Sequence, residues 1–125
     1  MNFEDLYLLE DGEKPYNIRH RAFHFSKDLV LFIKGASYDR IFISMFDQLL
    51  RSGTSIGANL VEGRAGSSKK DWRNYYAIAL KSANETKYWL CLIRDTLDQD
   101  KVRLNELLKE ADELSKIIAS IIISE

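Results

Sequence analysis

Hydrophobic positions along the chain recur at helical spacing almost throughout. Ile18, Ala22, Phe25, Leu29 and Phe32/Ile33 fall on one stripe with three- and four-residue steps, which predicts a first long helix. Pro15 punctuates its start and Gly35 its end. A second stripe, Ile41, Met45, Leu49, Ile56, Leu60 and Val61, predicts a helix from about Arg40, with Gly63 as its natural stop. A short loop follows. Ser68, three residues before Asp71, reads as a capping box that opens a third helix running to about Leu97 through Trp72, Tyr76, Ala79, Ala83, Leu90 and Ile93. Asp98 or Asp100 caps a fourth, which carries Leu104, Leu107, Leu108, Ala111, Leu114, Ile117, Ile118, Ile121 and Ile122. No segment alternates with period two. Four long helices with short connections predict an all-α, antiparallel up-down-up-down four-helix bundle over 15–125, preceded by an acidic tail at 1–14. The isoleucine-rich end of the fourth helix predicts either an interface between subunits or deep packing in its own bundle.

Composition narrows the function classes. With 46% apolar and 30% charged residues, the chain has the balance of a soluble globular domain, and no run approaches a membrane span. The start is acidic and lacks the pattern of a signal peptide. Cys91 is the single cysteine, which leaves no intrachain disulfide and no cysteine-rich zinc site, and fits a reducing, cytoplasmic setting. The net charge of −1 conceals an asymmetry: residues 1–14 hold five acids and one base, and the rest holds 17 bases against 14 acids.

The stretch "RSGTSIGANLVEGRAG" at 51–66 carries the candidate chemistry. On a helix, Arg51, Ser55, Asn59 and Glu62 form one polar seam beside the small residues Gly53, Gly57 and Ala58. Each helical glycine costs about 1 kcal/mol in propensity, so close approach of another backbone is expected. The third helix offers a matching seam of Ser82 and Glu85 flanked by Ala79, Ala83 and Thr86. These groups are expected to satisfy one another or the backbone and so to fix helix register, with Asn59 able to donate to Glu85. No nucleophile has a partner base. "GRAGSSKK" lacks both the strand and the spacing of a phosphate loop. A metal site is not expected. The bundle lacks the Glu-x-x-His motifs of a di-iron centre, and His20 and His24 read as ordinary surface and boundary residues. Cys91 reads as core. The outward-facing candidates are Arg51, Arg64, Lys69, Lys70 and Arg73, where a loop and a helix N-terminus favour an anion and Trp72 or Tyr75 could stack a base.

"SIGANLVEG" at 55–63, the basic loop, and "SKKDWRNYYAIALKSANET" at 68–86 together resemble the paired motifs of the four-helix bundle proteins, also called intervening-sequence proteins, which are encoded within insertions in bacterial large-subunit ribosomal RNA genes. The chain is similar as well to the accessory protein of diversity-generating retroelements. The resemblance covers nearly everything from Pro15 onward. It implies a protomer that assembles into a ring-like homopentamer, with no known enzymatic activity; no cofactor is expected. It also implies RNA or a reverse transcriptase as a partner. The motif positions it carries over are Ser55, Asn59, Glu62, Gly63, Ala79, Ser82 and Glu85, none with a catalytic role. Lys81 and the acidic tail depart from the motif.

Overall fold

The computed structural model describes residues 1–6, 17–66 and 68–124. It contains a short N-terminal turn of helix, α1 (Phe3–Leu6), and four long helices, α2 (Ile18–Gly35), α3 (Ile43–Ala65), α4 (Lys69–Thr96) and α5 (Lys101–Ser124), with a 3₁₀ turn at Arg40–Phe42 leading into α3. Sequence-adjacent long helices pack on each other and α2 closes on α5, so the four form an antiparallel bundle.

Each boundary has a local cause. Asn17 Oδ1 accepts the N–H groups of Arg19 (2.9 Å) and His20 (3.3 Å) and opens α2. The expected punctuation at Pro15 lies outside the described residues. Ser68 Oγ accepts the Asp71 N–H (3.1 Å) to start α4, and Asp100 Oδ1 does the same for Arg103 (3.1 Å) to start α5. Gly63 does not stop α3. The helix runs on to Ala65, and the Gly66 N–H returns to the Gly63 carbonyl at 3.1 Å.

The core is the predicted stripes brought together: Phe25 and Leu29 of α2, Phe46, Leu49, Ile56 and Leu60 of α3, Leu90 and Ile93 of α4, Leu104, Leu114 and Ile118 of α5. Tyr38 stacks flat on Phe46 at 3.7 Å and closes the core at the α2–α3 end. The isoleucines of α5 turn mainly inward. Ile118 is fully buried, Ile117, Ile121 and Ile122 pack against the core, and Ile123 remains 84% exposed.

The glycines of α3 have a different neighbour from the one expected. A Cβ on Gly53 would lie 2.1 Å from Leu29 Cδ2, and one on Gly57 would lie 3.4 Å from Ala22 Cβ; both face α2 rather than α4. Only Gly63 faces α4, where a Cβ would fall 2.8 Å from the Tyr76 ring and 3.0 Å from Tyr75 Cβ.

Polar links fix register at the helix pairs. Arg21 of α2 reaches Glu110 (Nε–Oε2 3.2 Å) and Glu113 (2.9 Å) on α5, and these hydrogen bonds, Glu110's first, raise its affinity for its proton. On α5, Asp112 bonds Lys116 at 3.0 Å and Lys87 of α4 at 3.2 Å, which holds its carboxyl below the usual range. The buried link between α3 and α4 is Thr86 Oγ1 to Ser52 Oγ at 3.0 Å, with Thr86 also 2.7 Å from the Ser82 carbonyl and Ser52 3.2 Å from that of Leu49. Thr86→Val should cost about 0.5–1.5 kcal/mol in chemical denaturation, because it removes the buried bond to Ser52, which keeps only the Leu49 carbonyl. Adding Ser52→Ala should restore part of that loss. A double variant as unstable as the sum of the singles would count against the pairing.

Candidate nucleic-acid interface

The α3–α4 connection is built by the C-terminal turn of α3, a glycine and the serine-capped start of α4. Arg64, Lys69, Lys70 and Arg73 are all exposed there. None of them makes an ion pair with another described residue. Arg51 is also exposed, but it lies more than three helical turns up α3 from Arg64 and belongs to a different part of the surface. Asp71 is half-buried among these cations, and its N–H is the one that Ser68 caps. A phosphate approaching this end meets positive side chains and the positive end of the α4 dipole together.

Trp72 is not a free stacking platform. It is half-buried against the core and stacks on Tyr76 at 4.6 Å between ring centroids, so one face of the indole is already occupied. Tyr75 is half-buried beside it.

The polar motif divides differently from expectation. Asn59 donates to the Ser55 carbonyl of its own helix at 2.7 Å, and Ser55 donates to Arg51 O at 2.7 Å. Glu62 and Glu85 are both exposed, so the proposed Asn59–Glu85 link is replaced by back-bonding within α3. Ser82 is buried and serves through its carbonyl, to Thr86. Sequence reasoning missed Ser52 and Thr86 as the true cross-helix pair. The signal was present, since Ser52 lies one helical step before Ile56 and shares its buried face. His20 is buried at 9% exposure instead of lying at the boundary, His24 is exposed as expected, and Cys91 is half-buried. No described helix is long and apolar enough to cross a membrane.

Fold and surface define an all-helical bundle protein with a basic inter-helix end. The sequence profile of the 23S rRNA-intervening sequence protein family matches residues 14–120, and the chain belongs to that family. Among solved structures it is similar to a protein of unknown function from the S23 ribosomal protein family of Bacteroides thetaiotaomicron. That similarity is 33% in sequence, covers 84% of this chain and 97% of the other, and has a TM-score of 0.74. No match is found among curated proteins.

Proposed function

We propose that this protein is a non-catalytic, self-assembling helical scaffold of the cytoplasm that binds RNA through the basic α3–α4 end. The observation that carries the reading is the cluster of exposed cations, Arg64, Lys69, Lys70 and Arg73, that no described carboxylate neutralises, set at the N-terminus of a 28-residue helix. Unneutralised cations beside exposed helix N–H groups suit phosphate oxygens and carry little base information, so the binding is weakly sequence-specific. Membership of a family tied to ribosomal RNA insertions makes RNA the first ligand to test. Glu62 and Glu85 are both exposed, which supports a binding role over acid–base catalysis by this pair. The pentamer is what the resemblance implies, and the exposed aliphatic side chains Ile41 (81%), Val102 (70%) and Ile123 (84%) are available for contact with other chains. Those same residues favour a second reading, a protein-interaction module without nucleic acid.

The reading is tested by ultraviolet cross-linking to a labelled pool of mixed-sequence RNA, with the adduct located by mass spectrometry. The expected adducts fall within residues 64–76, at Trp72, Tyr75 or their neighbours. Adducts confined to another part of the chain, or none at low salt, would favour the protein-interaction reading.

A further inference from the structure

We propose that Glu4, His20 and His24 form a site for a divalent transition-metal ion of the zinc class, which pins the N-terminal turn to α2. The two histidines are four residues apart, so both imidazoles rise from one face of α2. Phe3 stacks on Phe23 of the same helix, with ring centroids 4.3 Å apart and planes within 5°, and that contact carries Glu4 over the histidines. Glu4 Oε1 lies 2.6 Å from His20 Nε2, and His24 Nε2 lies 3.1 Å from the same nitrogen. All three donor atoms fall within 4.8 Å of one another.

Hydrogen bonding satisfies this arrangement poorly. His20 Nε2 is the meeting point of a carboxylate and a second imidazole. If it carries the proton, that proton is shared between Glu4 and His24. If it does not, its lone pair faces a carboxylate oxygen at 2.6 Å. The other ring nitrogen, Nδ1, is buried without a partner among the described residues in either case. A divalent cation accepts all three lone pairs at once. Zinc bonds of about 2.0–2.2 Å place tetrahedral donor atoms about 3.3–3.6 Å apart. The His20–His24 separation of 3.1 Å is within about half an ångström of that, and the third pair lies within 4.8 Å. The Glu4–His20 separation of 2.6 Å must open by up to about 1 Å, a shift within reach of a glutamate on a short surface turn.

The donor set selects the ion. Two imidazoles and one carboxylate suit zinc and its first-row neighbours, whereas calcium and magnesium take oxygen shells. Three protein ligands leave a fourth position. Glu4 and His24 also line a cleft of about 970 Å³ with Phe3, Phe23, Val61 and Gly57, which gives water or a small ligand access to that position.

The test uses the untagged full chain, zinc chloride alone as the probe, and calorimetric titration with and without His24→Ala. His24 is exposed, so this variant should still fold, and its own melting curve in the presence of a chelator is the baseline against which its response to zinc is read. The expected result is one zinc per chain, a melting temperature that rises with zinc, and an affinity at least about tenfold weaker in His24→Ala. Glu4→Gln should weaken binding as well. Cobalt substitution should give visible bands of a tetrahedral nitrogen–oxygen set without thiolate charge transfer, which separates the site from Cys91. The proposal is overturned if micromolar zinc shows no saturable 1:1 uptake, or if His24→Ala binds zinc as tightly as the parent.

Discussion

Truncating Leu29 to alanine should lower stability by about 2–5 kcal/mol, the range for a fully buried leucine. The informative part is what Gly53 does next. In the parent chain, a Cβ at Gly53 would collide with Leu29 Cδ2 at 2.1 Å, so Gly53→Ala should destabilise by about 1–3 kcal/mol through overpacking. That cost outweighs the roughly 1 kcal/mol that alanine gains in helix propensity. With Leu29 already reduced to alanine, the collision is gone and only the propensity gain is left. Gly53→Ala should then stabilise. A change of sign between the two backgrounds, read by denaturant melts, is the signature of α2 and α3 meeting at this glycine. Additive effects would mean that the two helices do not meet there.

The second large effect is expected at Gly63. Its missing side chain leaves room for Tyr76, which is 3% exposed, and for the Cβ of Tyr75. An alanine there meets the edge of a stiff ring at 2.8 Å and a backbone-tied carbon at 3.0 Å. Neither can move without spreading α3 from α4. Gly63→Ala should cost about 1–3 kcal/mol and disturb the adjoining basic loop. Gly57→Ala is the contrast. Its Cβ would make ordinary contact with Ala22 at 3.4 Å, so the same substitution six residues earlier should be neutral or stabilising by up to about 1 kcal/mol. Equal melting temperatures for the two variants would show that Tyr76 does not rest on Gly63.

Much of the bundle is legible in the sequence because a stripe of apolar residues fixes the inward face of its own helix. Phe25 and Leu29, Leu49 and Ile56, Leu90 and Ile93 all point where the spacing put them. The serine cap of α4 and the aspartate cap of α5 are legible for the same local reason. What spacing does not encode is which neighbour a face meets. Gly53 and Gly57 look alike whether they admit α2 or α4, and only the closed bundle shows that α2 approaches them. The polar seam illustrates a finer limit. Ser55 and Ser52 are both small hydroxyls on α3, less than one turn apart, and a rotation of about 60° decides which of them reaches Thr86. The basic end was legible as charge and Trp72 as part of the apolar stripe of α4, but spacing does not show that its indole stacks on Tyr76 and so loses one face. The Glu4–His20 contact was hidden completely. It needs the N-terminal turn, about sixteen residues before His20, to lie against α2, and no periodicity announces that.

The central claim is that the basic α3–α4 end binds RNA phosphates. It is tested most directly by fluorescence-anisotropy titration of single-stranded RNA over a salt series, for the parent chain and a Lys69→Ala, Lys70→Ala, Arg73→Ala triple variant. Each phosphate contact on a single strand contributes about 0.7 to the slope of log affinity against log salt. The account predicts binding that weakens steeply with salt, and a triple variant whose slope is shallower by about 2. A parent chain that fails to bind at low salt, or a triple variant with the parent's slope and affinity, would contradict it.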